Sequence, residues 1–184
     1  YEIGVQAESN EGGSVFRIAA FKRDIAHLIV YYTDPNTYAS KYINRDKQHD
    51  YGFEIESNMR LGRIASWVSN FSFVDGEGNE DGVKVKNLYR RPNFTVNSRL
   101  NLQPLPQLTL APSFKYVGDR PKGTFDTGPD PMPHYYTIGF FAGYQFPHAR
   151  IFADLQNLTN QQYFDVYGYN SRRFNMMVGV NFTL

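Results

Sequence analysis

No cysteine occurs in the 184 residues, which removes disulfide staples and thiolate metal sites from consideration. Long apolar runs are missing as well: no stretch approaches the ~18 consecutive apolar residues that a membrane-spanning helix needs. Charge of one sign is not in excess. Lys and Arg (19) balance Asp and Glu (18), with no basic block, so nothing here tracks a phosphate backbone or anchors to an acidic membrane surface, and nucleic acid is not expected as a partner. An initiator Met, a basic leader and an apolar signal segment are also absent. The chain opens on Tyr1 inside an alternating run, which suggests a segment of something longer.

What is present is aromatic and alternating. Tyr (14) and Phe (15) outnumber the single Trp, as expected where rings form girdles at two membrane interfaces. Mean hydropathy is negative, yet this does not exclude a membrane. Barrel strands alternate lipid-facing with water-facing side chains, so their average stays low. Phe94, Val96, Ser98, Leu100 and Leu102 alternate with Thr95, Asn97, Arg99 and Asn101, a period of two that a helix would scramble. Tyr51, Phe53, Ile55, Met59 and Leu61 likewise alternate with Glu54, Glu56, Asn58 and Arg60. Glu54 and Glu56 have acid/base spacing, but on a barrel wall they line water, with Arg60 as the expected countercharge.

The same reading marks strands at 1–9, 14–22, 51–61, 64–74, 93–102, 108–117, 135–146, 150–156 and 174–184, about nine in all. The links between them alternate: short at 10–13, 62–63, 103–107 and 147–149, long at 31–48, 75–92, 118–133 and 157–173. Outer-membrane barrels keep tight periplasmic turns and elaborate their extracellular loops in this rhythm, whereas a soluble sandwich has no reason to collect its long loops at one end. The expected fold is therefore all-β, an antiparallel up-and-down transmembrane β-barrel of about nine or ten strands in this segment. Two cut edges would be costly in lipid and hazardous in water, which leads to the expectation that the segment closes into a smaller barrel or pairs its edges with another chain.

Short motifs narrow the class. Asn157, Leu158, Thr159 and Asn160, followed by Tyr163 and then Val166, Tyr167, Gly168 and Tyr169, resemble the N-L-[FT]-[DN]-x-x-Y signature near the C-terminus of TonB-dependent receptors, and lie between the last two expected strands. Leu88 to Pro92 (L-Y-R-R-P) is similar to that family's L-x-R-R entry. Asp50 to Glu54 (D-Y-G-F-E) is similar to its x-x-G-V-E strand, and Phe21 to Ile25 with Leu28 and Ile29 to its Y-x-x-D-I-x-x-L-I segment. Two departures stand out: Leu184 replaces the usual terminal aromatic, and Arg172-Arg173 stands where the family often has Gly-Arg, which would make the backbone there less permissive.

The resemblance implies a parent barrel of about 22 strands. It also implies an N-terminal plug and a TonB-binding segment upstream, residence in the outer membrane of a Gram-negative bacterium in contact with its lipid, and uptake of a scarce nutrient of the cobalamin or ferric-siderophore class. It implies no cofactor. Arg90 matches the family position whose guanidinium can reach substrate from an extracellular loop, and Tyr169 an aromatic at the mouth of the last loop. The bland alternatives are a loop carboxylate partner for Arg90 and a girdle position for Tyr169. Tyr31, Tyr32, Tyr38 and Tyr42 in the first long link fit interfacial anchors better than ligand contacts.

The acidic run from Asp75 to Gly82 fails calcium-loop spacing, because its glycine falls eighth rather than sixth, and reads as a solvated loop. His27, His49, His134 and His148 are scattered at no metal-ligand spacing. No nucleophile, base and orienting residue converge in sequence, so an outer-membrane lipase or protease and a passive porin are the remaining alternatives.

Overall fold

The computed structural model describes residues 1–9, 13–34, 36–80, 83–86, 89–123 and 126–182. Leu88, Asp81, Gly82 and Leu184, invoked above, lie outside the described residues. Ten strands form one sheet: β1 (Glu2–Glu8), β2 (Val15–Thr33), β3 (Ser40–Arg60), β4 (Ala65–Glu80), β5 (Val83–Lys86), β6 (Phe94–Leu105), β7 (Leu108–Val117), β8 (Tyr135–Gln145), β9 (Ala149–Gln156) and β10 (Asn175–Phe182). No helix occurs among the described residues. Nine strands follow one another in chain order, each antiparallel to its neighbours, and β5 folds back on β4 alone.

Register turns the period of two into two faces. Asn97, Arg99, Thr137 and Gly139 line a water-accessible trough of about 1070 Å³ together with Arg17, Glu56, Asn58 and Asn70. None of Phe94, Val96, Leu100, Tyr136, Ile138 or Phe140 lines it. These sit on the opposite face, in line with Ile3, Val5, Ile18, Val178 and Val180, all of them exposed. Exposed aliphatics in that number are unfavourable against water and natural against lipid.

Two aromatic tiers bracket this apolar face. Nearer the long-loop end, Phe53 packs on Phe71 and Phe73 at 5.4 and 5.6 Å, Phe71 on Phe94 at 5.8 Å, and Phe94 stacks on Tyr116 at 5.0 Å. Nearer the short-turn end, Tyr144 packs on Phe146 at 4.8 Å, while Trp67 Nε1 donates to Ser98 Oγ at 2.7 Å.

The structure corrects several expectations. Residues 31–48 are mostly strand rather than loop: β2 and β3 stay paired from Val15–Asn58 to Thr33–Ser40. A turn closes this arm, with the Asn36 and Thr37 amides donating to Asp34 Oδ1 at 2.8 and 3.1 Å, which holds the Asp34 carboxyl below the usual range. The arm outruns its neighbours: the ladder to β1 stops at Glu2–Phe21 and the ladder to β4 at Gln48–Gly78. With neither face buried, it carries no hydrophobic alternation to read. The acidic run starting at Asp75 is likewise the end of β4 as far as Glu80, paired with β5 and tied by Lys84 Nζ to Glu77 Oε1 at 2.8 Å. The countercharge of Glu56 is its cross-strand partner Arg17 at 4.0 Å, whereas Arg60 Nε turns to the Gly62 carbonyl at 3.2 Å. Arg172 has no left-handed backbone, so its position does not need the freedom of the glycine it replaces.

The segment does not close. Among the described residues β1 and β10 do not pair with each other, and the sheet is an open path. A closed barrel of so few strands has an interior just wide enough for its own side chains. Here Arg17, Arg99, Lys115 and Arg172 project into a trough that such a radius would obliterate.

The two faces give a direct expectation for the receptor carrying this segment. Ile138→Arg, on the apolar face, should destabilise the lipid-refolded protein by about 2–4 kcal/mol, whereas Thr137→Arg, one residue away, should cost under about 1 kcal/mol. Denaturant titration in lipid vesicles reads both; equal costs would exchange or abolish the assigned faces.

Candidate functional site

A polar centre stands on the trough's face toward the long-loop end, and a missing side chain makes it possible. Gly52 pairs across the ladder with Phe21. A Cβ at Gly52 would strike the Phe73 carbonyl oxygen and come within 2.8 Å of Phe21 Cζ, so only glycine lets that ring lie flat across β3. Arg23 then rests its guanidinium 4.9 Å from the ring centroid and reaches its cross-strand partner Asp50, Nη2 donating to Oδ2 at 3.1 Å. Two further donors meet the same oxygen: Gln48 Nε2 at 2.8 Å and Arg91 Nη1, from the segment before β6, at 3.1 Å.

The Asp50 side chain is only 1% exposed. Its second oxygen, Oδ1, has no hydrogen-bond partner among the described residues and lies over Gly76, where a Cβ would come within 2.5 Å of it. A carboxylate at that depth depends on its cations: removing either partner of a buried pair leaves an uncompensated charge costing about 3–5 kcal/mol.

Arg90, the neighbour of Arg91, is committed differently. Its backbone is left-handed (φ 60°), its amide donates to the Pro121 carbonyl at 2.7 Å, and its guanidinium forks onto Asp126, Nε to Oδ2 at 3.0 Å and Nη2 to Oδ1 at 2.5 Å. Asp126 is nearly enclosed, and the Gly123 amide donates to its Oδ2 at 2.7 Å. Hydrogen bonding to Arg90, then to Gly123, holds the Asp126 carboxyl below the usual range, and the same bond raises Arg90. Tyr169, in the last loop, is 75% exposed.

The loops carrying them interlock. Arg120 is buried, with Nη1 donating to the Pro133 carbonyl at 3.3 Å and Nη2 to the Phe164 carbonyl, and its guanidinium lies over the Tyr135 ring at 5.4 Å. Tyr135 stacks on Tyr163 at 4.0 Å and donates to Asp165 Oδ1 at 2.6 Å. Asn157 and Asn160, both left-handed, explain the asparagines of the last motif, since Asn tolerates that backbone. Asn157 Oδ1 accepts from the Gln161 amide at 3.0 Å, its Nδ2 donates to the Gln161 carbonyl at 2.8 Å, and Asn160 Oδ1 accepts from the Phe174 amide at 3.2 Å. The motif is the scaffold of the last loop.

Residues 1–158 match the family described as TonB dependent receptor-like, beta-barrel. The chain belongs to that family. Among solved structures it is similar to the ferric-catecholate import receptor Fiu of E. coli K12 in its closed form, at 15% identity and a TM-score of 0.78, covering 98% of this chain and 27% of that one. It is similar to the ferripyoverdine receptor of Pseudomonas aeruginosa bound to ferripyoverdine at 18% identity and a TM-score of 0.78, with 98% and 26% covered. For the siderophore receptor PirA of Acinetobacter baumannii the values are 19%, 0.72, 97% and 30%. At such identities the likeness is one of fold. The chain spans about a quarter to a third of the length of these receptors.

Sequence reasoning singled out Arg90 and Tyr169 and did not name the Asp50 centre. A signal existed: Arg23, Asp50 and Arg91 fall in three separate segments that resemble this family, and the sheet brings all three to one carboxylate oxygen.

Gly52→Ala in the receptor should displace the Phe21 ring and cost about 1–3 kcal/mol of stability. Gly78→Ala, on the next strand where nothing lies within 4 Å of the added Cβ, is the control. Denaturant unfolding that cannot tell the two apart would contradict the packing argument.

Proposed function

We propose that the chain forms part of the barrel wall of an outer-membrane receptor in a Gram-negative bacterium, one that binds a scarce nutrient at its extracellular loops and imports it with energy delivered through TonB. Family membership, together with Arg90 forked onto Asp126 in one long loop and an exposed Tyr169 ring in the last one, supports this reading. The long-loop end is the extracellular one, because receptor barrels keep their short turns on the periplasmic side. Of the two nutrient classes, a ferric siderophore is favoured over cobalamin: the three solved structures compared above are named as ferric-catecholate, siderophore and ferripyoverdine receptors.

Arg90 and Tyr169 contact the ligand in this reading. Tyr169 offers an exposed ring face and one hydroxyl. Arg90, already forked onto Asp126, offers its remaining donors from a fixed position. The trough beneath, lined by Asn, Arg, Lys and Thr side chains, is a hydrated wall suited to an upstream plug domain.

Uptake of radiolabelled ferric siderophore by cells expressing the intact receptor is the test. It should require TonB, and Arg90→Ala and Tyr169→Ala should each weaken ligand binding roughly 5- to 10-fold, about the 1 kcal/mol that marks a contributing interface residue. TonB-independent uptake, or unchanged binding in both variants, would contradict the reading.

A further inference from the structure

We propose that the segment before β6, the link between β7 and β8 and the last loop form one cooperative block, clasped by Arg120, that fixes Arg90 and Tyr169 relative to each other before any ligand arrives. Its functional meaning rests on the reading that Arg90 and Tyr169 contact the ligand. The block itself is a property of the empty receptor.

The case begins with what is buried. A wall whose faces meet lipid and water encloses few side chains, yet Met132, Tyr135 and Arg120 are 1%, 2% and 3% exposed. Arg120 is the unusual member of this group. A buried cation needs compensation, and among the described residues Arg120 has no carboxylate within ion-pair distance. Its guanidinium is held instead by the Pro133 carbonyl, the Phe164 carbonyl and the Tyr135 ring. One carbonyl belongs to its own link and the other to the last loop, 44 residues further along the chain. Swinging the last loop away would strip the buried charge of a partner, so the two open together.

Further contacts close the same joint. Tyr163 stacks on Tyr135 at 4.0 Å, Asp165 accepts from the Tyr135 hydroxyl at 2.6 Å, and Gln161 Oε1 accepts from the Tyr136 amide at 3.1 Å. The Tyr167 ring lies so close over Gly128 that an added Cβ would come within 2.3 Å of its Cγ. Within the last loop, Ser171 Oγ donates to the Tyr163 carbonyl and Asn157 Nδ2 to the Arg172 carbonyl at 3.3 Å. Tyr169 is therefore displayed from a folded loop.

The other flank of the link carries Arg90. Its amide donates to the Pro121 carbonyl at 2.7 Å, its guanidinium forks onto Asp126, and the Asn93 amide donates to the Asp119 carbonyl at 3.3 Å. The link is thus clasped from both sides, by Arg90 on one and by the loop of Tyr169 on the other. A rim preset in this way has less conformational freedom to lose when a ligand binds. Arg120 is too enclosed to meet the ligand itself; it is a positioning residue.

The test is hydrogen exchange of the intact receptor in lipid, without ligand. Arg120→Gln should accelerate exchange about tenfold or more at Met132 and, across the joint, at Gln161 and Tyr169, whose amides are hydrogen-bonded in the native loops. The wall from Phe94 to Leu102 should keep its native rates, which shows that the variant folds. Arg120→Lys, which keeps the charge without the fork, should recover part of the protection. Tyr135→Phe removes one hydroxyl and should loosen both loops by a smaller factor, and it carries the test if Arg120→Gln does not fold. Acceleration confined to the β7–β8 link, with native rates at Gln161 and Tyr169, would overturn the block. It would leave the receptor reading standing, because no ligand enters the measurement.

Discussion

A backbone amide left unpaired in hydrocarbon costs several kcal/mol, so a chain that crosses a bilayer in extended form must pair every strand with its neighbours. The rest of this structure follows from that obligation. Pairing in strict antiparallel order fixes register, register fixes which residue of each adjacent pair faces lipid, and the sequence then has to alternate. Pro112, which lacks an amide hydrogen, sits opposite Phe140 within the sheet, and among the described residues the register shifts between Leu102 and Leu105, near the short turn. The central part of the wall is otherwise an uninterrupted ladder.

The site is the place where that obligation relaxes. Beyond the aromatic tier the strands run on into water, and side chains no longer alternate between lipid and lumen. There the ladder serves to deliver polar groups: Phe21 opposite Gly52 aims Arg23, Asp50 opposite Gly76 buries its carboxylate, and Arg91 arrives from the next outer segment. The loops complete the rim by locking onto one another through Arg120, Tyr135 and Asp165, with the left-handed Asn157 and Asn160 shaping the return into β10. An isolated surface salt bridge contributes little. Arg90 on Asp126 matters for where it holds the loop.

Legibility in the sequence follows the same division. Where a strand separates lipid from water, as from Phe94 to Leu102, the alternation was readable, and the structure keeps Asn97 and Arg99 on the trough and Phe94, Val96 and Leu100 off it. Where both faces meet water, as in the arm from Tyr31 to Tyr42, hydrophobic period vanishes and only β-propensity remains, so a strand read as a loop. Glu56 was assigned a countercharge from its own strand, because spacing along the chain is visible and cross-strand partners are not; its partner is Arg17. Asp50 hid for the same reason. Its three donors come from positions 23, 48 and 91, and only the sheet reveals that they share one oxygen. Of the two expected fates of the edges at β1 and β10, closure into a smaller barrel does not occur, because that expectation left out the volume of the long charged side chains that line the trough.

The central claim is that alternate residues of one ladder face lipid and water in the assembled receptor, and the absence of cysteine from this chain makes it directly measurable. Single cysteines at Val96, Asn97, Thr137 and Ile138, in receptor reconstituted into vesicles, can be labelled with a water-soluble maleimide and separately probed by quenching from brominated lipid. The account requires fast labelling at Asn97→Cys and Thr137→Cys, with lipid quenching confined to Val96→Cys and Ile138→Cys. Equal labelling at all four positions, or the reverse pattern, would contradict it.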